Sequence, residues 1–201
     1  MKATNKDKIL SAIKLLVTEN PIEQLTVRDF AKKCDISTRS FYNFFYDKYD
    51  ATTAIYLDYV FPYIHSDLQE WYEIKSDFCI YETDFIKNSV HNAKQDFFIE
   101  TMKKVEYEKL LMHIKPSIYD DPQARRITEM GILFNINGLL GVMQDSFNKI
   151  PFSEEDFNTS FNNNWELISG WMPLILTENL APSPVRECSN NLNTLFEKRL
   201  K

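Results

Sequence analysis

The chain has 201 residues, of which 44% are hydrophobic, 14% aromatic and 26% charged, and only four are glycines. This composition excludes disordered and fibrous proteins and argues against glycine-rich phosphate loops. The net charge of −6 is unevenly distributed, because residues 1–50 carry nine Lys and Arg against seven Asp and Glu and the remainder is acidic. Since local basic surface decides affinity for nucleic acid, only the N-terminal part suits a polyanionic partner.

Targeting signals and cysteine usage predict the compartment. Residues 1–8 are polar and lack the apolar stretch of a secretory signal, and no run of eighteen apolar residues follows. The odd set of Cys34, Cys79 and Cys188 has no CxxC spacing and cannot pair completely within one chain. We therefore expect a soluble, cytoplasmic protein with no membrane partner.

The first two helices are predicted from apolar spacing and a capping signal. One face of helix 1 is apolar, and it consists of Ile9, Leu10, Ile13, Leu16 and Val17. Asn20-Pro21 ends this helix. Thr26 and Asp29 then form a capping box for a helix that starts at about Val27. Because Cys34 lies on the inward face of this second helix, it is interpreted as a small buried residue and not as a ligand.

A third helix follows after only two residues. Ser37 is a good N-cap, and Ile36 and Phe41 are spaced as a hydrophobic staple. We expect this helix to bury Phe41, Phe44 and Phe45. Its opposite face is polar and aromatic and consists of Thr38, Arg39, Ser40, Tyr42, Asn43 and Tyr46. Two short helices with a tight turn and such a face fit the DNA major groove.

A fourth helix begins with Asp47 as its cap and Lys48 in its first turn. A lysine there opposes the helix macrodipole, so its presence needs another reason. Binding of a phosphate, which the free N–H groups of the helix start also favour, is one reason. An ordinary solvated lysine is the alternative.

This region resembles the tetracycline-repressor (TetR) family of bacterial regulators. The resemblance covers Thr26 to Lys48, and its most specific parts are Thr26-Val27-Arg28-Asp29-Phe30-Ala31, the Ser37 cap, Phe41-Tyr42, Phe44-Phe45 and Lys48. It implies an all-α homodimer with an N-terminal three-helix helix-turn-helix DNA-binding domain, followed by a C-terminal helical ligand-binding and dimerisation domain. We place these domains at residues 1–50 and 51–201.

The resemblance also implies roles for single residues. Tyr42 and Lys48 would contact phosphates, and Thr26 and Arg28 would hold the DNA backbone. The residues of helix 3 that would contact bases are Thr38, Arg39 and Asn43. The whole predicted DNA-binding set is Thr26, Arg28, Ser37, Thr38, Arg39, Ser40, Tyr42, Asn43 and Lys48. Two positions depart from the family pattern. Asp35 replaces a common turn glycine at a small cost in strain, and Pro62 predicts a kink or early end of helix 4 near Phe61.

The rest of the chain is predicted to be helical, with breakers such as Asp120-Asp121-Pro122 between helices. The predicted helices are Asp47 to Tyr72, Glu82 to Val90, Ala93 to Lys115, Pro122 to Asn148, Ser153 to Leu176 and Pro184 to Leu200. Aromatic and flexible side chains line apolar ligand pockets but also form ordinary cores. The candidate pocket residues are Phe78, Tyr81, Phe85, Phe98, Met102, Tyr107 and Asn135.

A dimer interface is predicted on the strongly apolar helix around Gly138 and Gly141, because small residues permit close helix approach. By resemblance it pairs with the next long helix, and the predicted interface is Gly138, Gly141, Phe157, Phe161 and Trp165. An isologous dimer would set two recognition helices about 34 to 36 Å apart, which matches a palindromic operator. A helix buried within one subunit is the alternative.

The leading hypothesis is a DNA-binding repressor that a small-molecule effector releases from a double-stranded operator. The alternatives are a regulator or activator of the same fold that a protein partner controls, and a helical enzyme. No nucleophile elbow, HExxH sequence or P-loop occurs, so we expect no enzymatic activity and no cofactor. His65, His91 and His113 lie on separate segments, which predicts no metal site.

Overall fold

A computed structural model describes residues 5–90 and 97–149, together with Thr159. The all-α prediction is confirmed for these residues, which contain helices and no strand. The α-helices are α1 (Asn5–Glu19), α2 (Val27–Lys33), α3 (Thr38–Tyr42), α4 (Lys48–Val60), α5 (Leu68–Tyr81), α6 (Thr83–Ser89), α7 (Phe97–Leu111), α8 (Pro116–Tyr119) and α9 (Pro122–Lys149). Within the described part of the chain, none of the helices has the length and hydropathy needed to cross a membrane.

The described residues divide into two compact units. The first unit contains residues 5–62, 81–90 and 97–101, and the second contains residues 63–80 and 102–149. The first unit extends beyond residue 50, the predicted limit of the DNA-binding domain, and includes the whole of α4.

The first unit is built around α1, which packs against α2, α4 and α6. The predicted apolar face of α1 is its buried face, with Ile13 and Val17 fully inaccessible to solvent. Polar contacts join the same helix to α6, since the Lys14 ammonium lies 2.5 Å from a carboxylate oxygen of Glu82. The amide of Asn88 also donates to the carbonyl of Thr18 at 2.9 Å. Apolar burial therefore holds α1 in place, and its polar edge orients α6.

Helix α4 ends at Val60 and is followed by a 3-10 turn, Phe61–Tyr63, that contains Pro62. The predicted early end near Phe61 is confirmed, because proline has no N–H to continue the helical ladder. The prediction of one helix from Asp47 to Tyr72 is wrong. Asp67 caps a new helix, α5, by accepting the N–H of Glu70 at 2.8 Å.

The second unit contains most of α5 and α7, together with α8 and α9. Asp121 caps α9 by accepting the N–H groups of Gln123 and Ala124 at 2.9 and 3.2 Å, at the predicted breaker. The predicted helices at Glu82 to Val90, Ala93 to Lys115 and Pro122 to Asn148 correspond to α6, α7 and α9. Those at Ser153 to Leu176 and Pro184 to Leu200 lie outside the described residues.

Candidate nucleic-acid interface

Helix α2 starts with the predicted capping box. The N–H and hydroxyl of Thr26 donate to the Asp29 carboxylate at 2.8 and 2.6 Å, and the N–H of Asp29 donates back to the hydroxyl at 3.4 Å. These bonds from Thr26 lower the pKa of Asp29. The hydroxyl of Thr26 is therefore used to start the helix that it was predicted to hold against DNA.

The turn between α2 and α3 is closed by a Schellman arrangement. The N–H of Ile36 donates to the carbonyl of Ala31 at 3.0 Å and that of Asp35 to the carbonyl of Lys32 at 3.2 Å. This pattern requires a left-handed residue after the helix, and Asp35 has φ of 53°. Asp35 therefore takes the left-handed position that a glycine occupies without strain.

Substitution of Asp35 tests this turn. A side chain in the left-handed region costs about 1 to 2 kcal/mol, and glycine avoids that cost. We expect Asp35→Gly to raise the free energy of unfolding by up to about 1 kcal/mol and Asp35→Val to lower it by about 1 to 2 kcal/mol. Denaturant unfolding with an unchanged slope measures both changes. Asp35→Asn is the matched control, and a loss of stability in Asp35→Gly would contradict the interpretation.

Phenylalanine rings hold α3 against α2. Phe30 and Phe41 are fully buried with ring centroids 6.0 Å apart, and Phe45 lies 5.2 Å from Phe41. The prediction that Phe44 is also buried is wrong, since 45% of it is exposed. Helix α3 ends at Tyr42, so Phe44 lies in the turn beyond it, with its ring centroid 6.2 Å from that of the buried Phe45. Burial of Phe41 fixes which residues of α3 face outward.

The outward face of α3 carries most of the predicted base-contacting residues. Thr38, Arg39, Tyr42 and Asn43 are exposed, with 55% of Tyr42 accessible, and Tyr46 beyond the helix is 85% exposed. These side chains supply hydroxyl, guanidinium, phenol and amide groups, which suit base edges and phosphates. The arrangement is a short helix whose polar groups face outward from an aromatic core.

The two serines at the start of α3 differ from these residues, because their side chains are hydrogen-bonded to each other. The hydroxyl of Ser37 accepts the N–H of Ser40 at 3.0 Å, and the two hydroxyl oxygens lie 2.8 Å apart. Ser37 is thus the predicted N-cap. Both serines orient the start of the helix, whether or not they also contact DNA.

Helices α2 and α3 both carry exposed cations. Arg28, Lys32 and Lys33 of α2 and Arg39 of α3 are all exposed. The two lysines lie in the last turn of α2, where positive charge matches the helix dipole. The Asp29 carboxylate in the same stretch is occupied by the capping box. This carboxylate keeps its negative charge, but between Thr26 and Tyr46 the four cations outnumber the carboxylates of Asp29 and Asp35, so the segment is positive although the chain as a whole is acidic.

Lys48 is half-buried at the start of α4, where Asp47 is the predicted N-cap. Its ammonium donates to the backbone carbonyls of Ile22 and Leu25 at 2.7 and 2.8 Å, and the carbonyl of Glu23 lies 3.5 Å away. These carbonyls provide the compensation that a lysine at a helix start needs. Neither of the two sequence-based interpretations, phosphate binding or simple solvation, included this contact.

The predicted pocket residues are divided between the two units. In the first unit, Phe85 and Phe98 are buried with ring centroids 5.8 Å apart. In the second unit Phe78 and Met102 are buried core residues. Tyr81 is 77% exposed, and Tyr107 and Asn135 are half-buried. A surface depression of about 460 Å³ is lined by other residues, at the start of α9: Pro122, Gln123, Arg126 and Ile127.

The predicted dimer interface is described only in part. At Gly138 and Gly141 an added Cβ would meet no atom within 4 Å, so nothing described packs closely on these glycines. Phe157, Phe161 and Trp165 lie outside the described residues.

Among the residues described here, no three His, Cys, Asp or Glu side chains are grouped to hold a metal ion.

Sequence reasoning missed a buried charged cluster in the second unit. Glu106 accepts the indole N–H of Trp71 at 3.0 Å and lies 2.5 Å from the ammonium of Lys75. One helical turn further along α7, the ammonium of Lys109 donates to the carbonyls of Ile64 and Ser66 at 2.9 and 2.5 Å. The sequence does signal that these charges are buried, because they occupy core positions of helices that are otherwise apolar on that face.

No family model matches the chain, and no curated protein is significantly similar to it.

Proposed function

We propose that this chain is a DNA-binding transcriptional regulator of the TetR type. In this proposal residues 1–50 form a helix-turn-helix DNA-binding domain, and the following helices bind an effector and form a homodimer in the cytoplasm. The observation that carries the proposal is the outward face of α3, where Thr38, Arg39, Tyr42 and Asn43 are exposed beside a buried aromatic core. A short helix presented in this way fits the major groove.

Three further observations support a nucleic-acid partner. The turn that joins α2 to α3 is closed by backbone hydrogen bonds, so α3 is held at a fixed angle to α2. Exposed cations on both helices provide the nonspecific attraction to phosphates that all such proteins need. The remaining acidic surface would be repelled by DNA, which limits contact to the basic end.

A homodimer completes the proposal, because operators read by paired helices are palindromic. Helix α9 exposes a stripe of large apolar residues that is continuous with the open face of its glycines, and this stripe consists of Ile127, Met130, Leu133 and Phe134. Exposed apolar surface of this kind is typical of protein interfaces. Release by a small-molecule effector rests on the family resemblance alone.

Binding to the DNA that flanks the gene of this protein tests the proposal. We expect specific binding that weakens steeply with salt, as phosphate contacts dictate. Tyr42→Ala should weaken binding to all sequences, whereas Arg39→Ala should cost about 1 to 3 kcal/mol and relax base preference. Fluorescence anisotropy over a salt series, with random duplex for comparison, measures both effects.

Arg39→Lys is the matched control, because it keeps the charge but loses the planar two-donor group that recognises guanine. Retention of base preference in both Arg39→Ala and Arg39→Lys would identify Arg39 as a phosphate contact. If the wild-type protein binds flanking DNA no better than random duplex, and selection from genomic fragments also yields no site, the proposed function is wrong.

A further inference from the structure

Lys48 contacts the segment that immediately precedes α2. The three carbonyls around its ammonium belong to the 3-10 helix Ile22–Gln24 and to Leu25, and the next residue is Thr26, the N-cap of α2. A single side chain therefore joins the start of α4 to the start of α2. The two helix starts are more than twenty residues apart in sequence, and the chain between them contains α2, α3 and their turns.

The chemistry of this contact is specific to an ammonium group. An ammonium has three donors, and the 3-10 helix ends with carbonyls that have no partner within the helix. The carbonyl of Ile22 already accepts the N–H of Leu25 at 3.2 Å, so Lys48 adds a second, charge-assisted bond to the same oxygen. The ring of Tyr49 lies 5.1 Å from the ammonium and adds a cation–π contact.

We infer that Lys48 is a positioning residue, which fixes the orientation of α2 through the carbonyls of Ile22 and Leu25 and is not itself a phosphate contact. Its donors are directed into the protein, and its side chain is half-buried. Arg28, by contrast, is exposed on α2. The inference departs from the role that the family resemblance implies for Lys48.

The DNA part of this inference rests on the proposed function, but the positioning part does not. Lys48→Met keeps the aliphatic side chain and removes the donors. In the DNA-free protein, we expect the amides of Asp29 and Phe30 to exchange with solvent about 10- to 100-fold faster in this variant, because the charge-assisted bonds that restrain the start of α2 are lost. Hydrogen exchange measured residue by residue reports this change. Lys48→Arg keeps the charge and donors and should restore most of the protection.

The salt dependence of DNA binding separates the two roles. A residue that contacts one phosphate contributes about 0.9 to the slope of log affinity against log salt concentration. We expect Lys48→Met to weaken DNA binding with an unchanged slope, whereas Arg28→Met, the comparison variant, should reduce the slope by about one. The whole chain is used for both measurements.

Each outcome decides the inference. Unchanged amide exchange in Lys48→Met, together with a slope reduced by about one, would overturn it and make Lys48 a phosphate contact. Faster exchange with an unchanged slope supports it. If the wild-type protein binds no DNA specifically, the proposed function fails, and the exchange measurement alone still decides whether Lys48 positions α2. If Lys48→Met does not fold, the exchange of Lys48→Arg is compared with that of Lys48→Gln, which lacks the charge, and equal protection in these two variants would overturn the inference.

Discussion

Glu106→Leu is expected to lower the free energy of unfolding by about 3 to 5 kcal/mol, the cost of breaking one side of a buried ion pair. The side chains of Glu106 and Lys75 are each only 6% exposed, and one carboxylate oxygen serves both Lys75 and the indole of Trp71. The substitution leaves a buried ammonium and a buried N–H without this acceptor. Chemical denaturation monitored by circular dichroism measures the loss.

The matched experiment removes both charges at once. Lys75→Met alone leaves the Glu106 carboxylate buried without its cation and should also cost about 3 to 5 kcal/mol. The double variant Lys75→Met with Glu106→Leu removes both charges of the pair and leaves the Trp71 N–H without its acceptor. We therefore expect it to cost about 1 to 3 kcal/mol, far less than the two single changes together.

A surface pair provides the control for this prediction. Arg125 and Glu129 form an ion pair at 2.7 Å on one face of α9, but their side chains are 39% and 25% exposed. Because solvent screens such a pair, Glu129→Gln should cost less than about 1 kcal/mol. Additive losses in the Lys75 and Glu106 double variant would show that the two charges do not stabilise each other.

Local signals in the sequence were sufficient to predict how α2, α3 and α4 begin. The caps at Thr26, Ser37 and Asp47 are contained within four residues each, and the structure confirms all three. The left-handed Asp35 and the break at Pro62 are likewise properties of one residue and its neighbours. Such features are predictable because the chemistry that causes them acts over a single helical turn.

Features that depend on distant residues were missed. Trp71 and Glu106 are 35 positions apart, so nothing next to Glu106 indicates that a partner will accompany its burial. The carbonyls around Lys48 are likewise separated from it by 23 to 26 positions. Phe44 was wrongly predicted to be buried because α3 ends at Tyr42, before Phe44, and no strong breaker in the sequence marks that end. The candidate DNA-contacting residues were found because exposure on one short helix follows from its period alone.

The stability of the protein should also decrease between pH 6.5 and pH 4 because of His113. This side chain is fully buried, and its Nδ1 lies 2.9 Å from the carbonyl of Lys109, so Nδ1 donates and Nε2 carries the lone pair. Burial, together with the nearby Lys109 ammonium, lowers the pKa of His113 from 6.5 to about 4. The folded protein therefore keeps this ring neutral over a range in which the unfolded chain protonates it.

The sign and size of the effect follow from proton linkage. Above pH 6.5 His113 is neutral in both the folded and the unfolded chain, so its titration does not lower the free energy of unfolding there. As the pH falls from 6.5 to about 4, the unfolded state gains the proton first, and the free energy of unfolding decreases by up to about 3 kcal/mol. Below about pH 4 both states are protonated at this site and the loss stops increasing.

Comparison with His113→Gln isolates this contribution, because other groups titrate in the same range. Glutamine keeps an N–H that can donate to the Lys109 carbonyl but has no proton to gain. The difference in unfolding free energy between wild type and His113→Gln should therefore shrink as the pH falls from 7 to 4, by up to about 3 kcal/mol. His65→Gln, at an exposed histidine, is the matched control variant. Parallel pH profiles for wild type and His113→Gln would mean that His113 is protonated equally easily in the folded and unfolded chains, and that its ring is not held neutral by burial.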